Sequence, residues 1–200
     1  MEKSFYSTEK LFAVVLSFGT LAIFILAIAL VGCSDSQAEN TTELSQQELI
    51  QRGKYLTTIG ACHDCHSPKI MTPAGPAPDP ERLLSGHPSD EPIPPLPGRT
   101  DWILFSPGLT AFVGPWGISY AANLSPDDTG TGNWTFEQFK TAIRKGKYKG
   151  LEGSRELLPP MPWDMYKNMT DDDLKAIFVY LRSIKPVSNV VPAPVSPNNL

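Results

Sequence analysis

Cys62-His63-Asp64-Cys65-His66 is a C-x-x-C-H motif, about a third of the way along a 200-residue chain. Two thiols three residues apart lie on one helical turn, and that spacing reaches the two vinyl groups on one edge of a porphyrin. His66, directly after the second thiol, then points its imidazole at the iron. C-x-x-C-H is the attachment signature of haem c, so Cys62 and Cys65 are candidate covalent anchors and His66 a candidate axial ligand for one haem. A structural zinc site would need four ligands. Only Cys62, Cys65, His66, His63 and His87 could contribute, and the chain has no second cysteine pair. A redox dithiol of the thioredoxin type belongs near a βαβ pattern, and none is visible.

The flanking sequence reads as helix. Ser45 and Glu48 make the S-x-x-E start of a helix from about Gln46, which carries Leu49, Ile50 and Leu56 toward a core and reaches the motif near Ile59. Gly53 costs that helix stability, and its missing side chain leaves room for another helix to cross. The candidate for the crossing is the last helix, capped by Thr170. Asp171, Asp172 and Asp173 suit the positive end of its dipole, Leu174, Ile177, Phe178 and Leu181 fall on one face, and Lys185-Pro186 stops it. Tyr180 is expected near the crossing as a packing residue. A middle helix opens at Thr135 with Gln138 three residues on, and Gly146 ends it. Proline dominates much of the remainder, notably residues 73–97, and the expectation is an all-α fold with long Pro-rich loops around a flat cofactor.

A sixth ligand for the iron is sought among Met71, Met161, Met165 and Met169. Met161 lies in Leu158-Pro159-Pro160-Met161-Pro162-Trp163, where prolines on both sides hold the backbone extended and present the side chain rigidly. A weak thioether ligand needs that rigidity, and it raises the potential of the iron. Met165 and Met169 fit helix-edge packing, and Met71 follows the motif too closely to reach the opposite face. His87 is the rival ligand; its neighbours Ser85, Gly86 and Pro88 suggest a turn and a solvated loop histidine. His63 reads as a surface residue.

The N-terminus reads as an address. Lys3 and Lys10 precede a run from Leu11 to Gly32 without a charge, which then meets Cys33 and turns polar at Ser34-Asp35-Ser36. Leu30-Val31-Gly32-Cys33 resembles the lipobox of bacterial lipoproteins. That resemblance implies cleavage before Cys33 and a lipid on its sulfur; an uncleaved membrane-spanning helix is the alternative. The expected organisation is a signal peptide of lipoprotein type over 1–32, a lipidated cysteine and tether over 33–44, a cytochrome c domain over 45–192 and a tail over 193–200. The domain is then exported and membrane-anchored, facing the periplasm or the exterior of a bacterium. A formal charge of −4 argues against a nucleic-acid partner, which would want a basic face.

Taken in order, the motifs resemble those of class I c-type cytochromes. They are similar, more narrowly, to the cytochrome c domains of membrane-bound alcohol and sugar dehydrogenase haem subunits. The matching residues are Gly53-Lys54-Tyr55-Leu56 before Cys62–His66, Ala122-Asn123-Leu124-Ser125-Pro126-Asp127, Thr131-Gly132-Asn133-Trp134-Thr135, Ala142-Ile143-Arg144-Lys145-Gly146, Pro159-Pro160-Met161-Pro162, and residues 174–183. The resemblance implies a small helical cytochrome c fold, His66/Met161 axial ligation, Asn123 and Trp134 near the haem edge or its propionates, and electron exchange with redox partner proteins. The chain departs from those subunits in having one C-x-x-C-H and an insertion over residues 68–119. The function expected is a monohaem electron carrier, not an enzyme, whose acidic surface favours a partner with a basic docking patch. A haem-based sensor or peroxidase with a labile sixth ligand is the alternative.

Overall fold

The Ser45 hydroxyl accepts the amide of Glu48 while the Glu48 carboxylate takes the amide of Ser45, a closed capping box at the head of helix α1, Gln46–Ile59. The chain, as a computed structural model, is described over residues 44–95 and 102–200. The proposed signal peptide, Cys33 and the tether up to residue 43 lie outside the described residues. Helix α2, Cys62–His66, follows α1 after a two-residue break in which Ala61 is left-handed. Helix α3, Phe136–Lys145, has its own capping box from Thr135 and Gln138, and ends on a left-handed Gly146. The short α4, Trp163–Tyr166, leads to α5, Asp171–Ser183, whose first turn is capped by the Thr170 hydroxyl on the Asp173 amide.

Helices α1 and α5 make the largest contact in the fold, and Gly53 is the reason they can. A β-carbon at Gly53 would stand 2.1 Å from the Ala176 carbonyl oxygen and 2.6 Å from the Tyr180 Cβ. The bare backbone thus lets the helices meet at a separation no other residue allows. Around the crossing Leu56, Leu84, Phe139, Leu174, Ile177, Phe178, Tyr180 and Leu181 form one buried cluster. The Phe139 and Phe178 rings lie 5.5 Å apart between centroids, which locks α3 to α5.

The all-α expectation is corrected by the insertion. Residues read there as proline-rich loop form two small antiparallel sheets among the described residues. Strands β1, Lys69–Thr72, and β2, Gly75–Pro78, make a hairpin pairing Lys69 with Pro78 and Thr72 with Gly75. Strands β3, Leu104–Phe105, β4, Ala111–Gly114, and β5, Gly117–Tyr120, make the other in that order. Proline explains the first: its fixed φ presets extended chain, and a two-stranded ribbon has edges where a missing amide costs nothing. In the second, Ala111, Phe112 and Val113 are all buried. The alternation that marks a half-buried strand is therefore missing from the sequence. Helices still build the core, compatibly with a cytochrome c fold.

The C-terminal segment lies along the domain. Ile118 and Val195 exchange both backbone hydrogen bonds, and a β-carbon at Gly117 would meet the Val195 carbonyl oxygen at 1.9 Å. Among the described residues no helix is long and apolar enough to cross a membrane.

Gly53→Ala forces α1 and α5 apart and is expected to destabilise the domain by about 3 kcal/mol, the scale of an overpacked core. Gly153, whose added β-carbon meets nothing within 4 Å, is the control; Gly153→Ala stays within about 0.5 kcal/mol. Urea denaturation of both variants against the parent chain checks the pair.

Candidate cofactor site

One turn of helix carries the whole motif. The Asp64 amide donates to the carbonyl of Ala61, whose left-handed φ of 53° starts α2 in a new direction. Cys62 and Cys65 are half-buried free thiols, three residues apart on this turn. Burial pushes the Cys62 thiol up to about 11, with the neighbouring Cys65 adding to the effect. Cys65 is raised as well, by burial first and Asp64 second. Both sulfurs are therefore protonated and unpaired at neutral pH.

His66 is held by its far nitrogen. Its Nδ1 lies 2.8 Å from the carbonyl oxygen of Ala122. A carbonyl only accepts, so Nδ1 carries the hydrogen and Nε2 keeps its lone pair. Burial lowers the pKa of the ring against the opposing pull of that bond, which keeps it neutral. A neutral imidazole with one nitrogen tied to a carbonyl and the other free is the form in which histidine ligates a metal.

Two segments position this bond. Residues 84–87 run beside 121–124: Leu124 N donates to Leu84 O at 2.8 Å and His87 N to Ala121 O at 3.0 Å. The Gly86 amide donates to the His66 carbonyl at 2.8 Å. Gly86 has φ +78°, and a β-carbon there would meet the Ala121 oxygen at 2.6 Å and the Ala122 carbonyl carbon at 2.7 Å. Only glycine fits between the imidazole's turn and its acceptor. Ser67, fully buried, receives the Leu84 amide at 2.9 Å and lies 3.0 Å from His63 Nδ1.

The methionines differ in setting. Met161 is half-buried in a segment whose Pro159 carbonyl accepts the Ser119 hydroxyl at 2.6 Å. Met165 and Met71 are largely exposed, at 66% and 80%, and Met169 packs on the core cluster. Just past Met161, the Tyr166 hydroxyl donates to the Gly60 carbonyl at 2.6 Å. That bond pins the methionine-bearing segment to the end of α1, two residues before Cys62. No sequence signal singled out Tyr166, since one tyrosine in a short turn has no periodicity to read.

Asn123 is buried. Its Nδ2 donates to Thr129 Oγ1 at 3.1 Å and to Val187 O at 2.9 Å, and its Oδ1 accepts the Ser125 amide. Its side chain holds the 121–131 turn against the C-terminal segment. Trp134 packs half-buried on the core cluster.

His87 is not the solvated loop residue the sequence suggested. It is 1% exposed, with Nδ1 2.9 Å from Thr110 Oγ1, its ring 4.9 Å from that of Tyr120, and its Nε2 buried with no side-chain or backbone partner at hydrogen-bond geometry among the described residues. The turn was legible, but the sheet that buries it was not. These residues fit a covalently bound haem: two free thiols on one turn, and beside them a neutral imidazole with an open nitrogen.

Thr110→Val removes the partner of a buried imidazole and is expected to cost about 1–2 kcal/mol. Burial lowers the pKa of His87, with Glu91 opposing it, so the unfolded chain binds this proton more readily than the folded one. The stability this contributes is complete above about pH 6.5 and is lost as pH falls below it. His63 and His66 shift the same way, chiefly by burial. His87→Gln is therefore expected to flatten part of the acid slope, read by urea denaturation of the cofactor-free chain from about pH 7.5 to about pH 5.

No family model matches the chain. It is similar to the gluconate 2-dehydrogenase cytochrome c subunit of Pantoea cypripedii, 27% identical over 183 residues, covering 88% of this chain and 32% of that protein. The fructose dehydrogenase cytochrome subunit of Gluconobacter japonicus is 28% identical over 165 residues, 82% of this chain and 27% of its own length. The cytochrome c subunit of the quinone-dependent alcohol dehydrogenase of Gluconobacter oxydans is 28% identical over 146 residues, 72% of this chain and 23% of that protein. The chain thus spans about a third or less of the relatives it matches. With the motif, the ordered helices and the tethered imidazole, these likenesses support a cytochrome c domain, similar to those of the cytochrome c subunits of gluconate, fructose and alcohol dehydrogenases.

Proposed function

We propose that the chain carries one haem c and passes single electrons between redox partner proteins. The observation that carries this reading is the His66 imidazole, fixed by Ala122 with Nε2 free, on the same turn as two unpaired thiols. When bound, the haem supplies an iron that takes up and gives up one electron. Cys62 and Cys65 would hold it covalently through thioether bonds. His66, with Nδ1 tied to Ala122, would supply Nε2 to the iron. Met161 would supply a thioether sulfur to the same iron, and the Ser119 and Tyr166 hydrogen bonds on either side of it give the segment the rigidity such a ligand needs. A ligand set that survives both oxidation states keeps reorganisation small, and no substrate pocket is required.

Asn123 acts on the cofactor through its neighbour: by fixing the 121–131 turn it fixes the Ala122 carbonyl that orients His66. Trp134 packs on the core cluster and would lie at the edge of the cofactor. Residues 45–192 are the cytochrome domain and 193–200 its tail. Residues 1–32 are a signal peptide, and Cys33 with the tether to residue 44 anchors the exported domain at a membrane through a lipid or an N-terminal helix. The names of the relatives make a dehydrogenase a candidate electron donor, and the acidic surface suits a partner with a basic patch.

The full chain, expressed in a host that attaches haem c, tests the proposal. Haem is expected to resist acid–organic extraction from the parent protein and to be lost to extraction from the Cys62→Ser, Cys65→Ser double variant. Met161→Ala is expected to keep the covalent haem, lose the long-wavelength ferric band of sulfur ligation and fall in reduction potential. An unchanged ferric spectrum would remove Met161 from the iron and favour a labile sixth position, as in a sensor or peroxidase.

A further inference from the structure

Five residues of helix leave most of their carbonyls without an intrahelical partner. At α2 these groups matter, because the same five residues carry every group proposed to hold the haem on its proximal side. The His66 carbonyl is met by the Gly86 amide. Two of the others, those of His63 (which also accepts the Ser67 amide) and Asp64, converge with the carbonyl of Ser67, the residue that ends the turn, on one side chain. Lys69 Nζ donates to the carbonyl oxygens of His63 at 3.1 Å, Asp64 at 2.9 Å and Ser67 at 2.5 Å. An ammonium has three hydrogens, and each is directed at a carbonyl of this turn or of the residue that ends it.

We propose that Lys69 is a positioning residue for the haem-attachment turn, and that its pinned charge biases the bound iron toward the reduced state. This rests on the reading of Cys62, Cys65 and His66 given above. The geometry supports both halves. Helix ends are ordinarily closed by glycine or by water, whereas here a lysine folds back from β1 and clamps the turn from outside. The side chain is half-buried, and its three hydrogen bonds hold the charge at the carbonyls. A cation also suits the negative end of a helical dipole. Ferric haem carries one more positive charge than ferrous haem, and a fixed ammonium beside the attachment turn therefore disfavours the ferric form. Among the described residues no hydrogen bond joins Lys69 to a carboxylate; Asp64 gives its backbone oxygen to the clamp, and its nearby charge favours the ammonium without a direct bond.

The test is equilibrium redox titration of the full haem-loaded chain with three variants: Lys69→Met, Lys69→Gln and Lys69→Arg. Lys69→Met removes donors and charge. Lys69→Gln keeps an amide donor without the charge, and carries the test if the methionine variant does not mature. Lys69→Arg keeps both. Expected is a ferrous-to-ferric ratio lowered about tenfold at fixed applied potential in the Met and Gln variants, or about 59 mV for a one-electron couple, with Arg near the parent. Their axial-ligand spectra should match the parent, which separates a charge effect from a disrupted site. Covalent haem per chain should fall in the Met variant and recover with Arg. Parent potentials in Met and Gln, or an Arg variant shifted as far as Met, would overturn the proposal. Failure of the parent chain itself to bind haem would instead overturn the reading on which it rests.

Discussion

The hydrogen bond from His66 Nδ1 to the Ala122 carbonyl joins two parts of the chain 56 residues apart, and much of the fold serves to keep it in one place. A ring free to turn about χ1 and χ2 would present either nitrogen in many directions; one bond to a fixed carbonyl removes that freedom and selects the tautomer at once. The acceptor must then be as rigid as the donor. Ala122 is held on one side by the backbone pairing of 84–87 with 121–124, and on the other by the turn that Asn123 ties together. The donor is held from its own side by Gly86 on its carbonyl and, beyond it, by Lys69 on the turn.

The crossing of α1 and α5 sets where that arrangement sits. Gly53 brings the helix axes together, and three residues later Leu56 enters the shared core. The last turn of α1 then delivers Gly60 to the Tyr166 hydroxyl and Cys62 to the edge of the core cluster. On the C-x-x-C-H turn Cys62 packs against the core cluster, and Cys65 lies three residues on, half-buried. The surface ion pair between Arg52 and Asp173 crosses the same helices, but an exposed pair contributes little beside the close packing of backbone on backbone.

What the sequence made legible were features with a local cause. The one-turn spacing of Cys62 and Cys65, both capping boxes, the helix-stopping Gly146 and the apolar face of α5 each follow from residues within one or two turns of one another. Gly53 was legible for a related reason: a glycine inside a strong helical pattern needs a packing explanation. The sheets of the insertion were not legible, because Pro76 and Pro78 mimic loop and the fully buried run 111–113 lacks alternation. The burial of His87 was hidden for the same cause, since it depends on Thr110 and Tyr120 from that unrecognised sheet. Tyr166 and Lys69 act through side chains that reach backbone carbonyls, and no spacing rule encodes a bond of that kind.

The C-terminal segment shows how far such bonds extend the site. Asn189 gives one amide hydrogen to the Ser85 carbonyl at 2.7 Å and the other to the His87 carbonyl at 2.8 Å, while its oxygen accepts the Ser89 amide at 3.0 Å. Its backbone amide meets Thr129 Oγ1, the hydroxyl that also receives Asn123. Asn189 thus ties both segments that flank His66, one through its side chain and the other through its backbone. Residues 85–89 have little secondary structure of their own, and an unsatisfied carbonyl in a buried loop would be costly. The segment after α5 supplies the donors that loop lacks, so the orientation of an imidazole near residue 66 is completed by chain that arrives more than a hundred residues later.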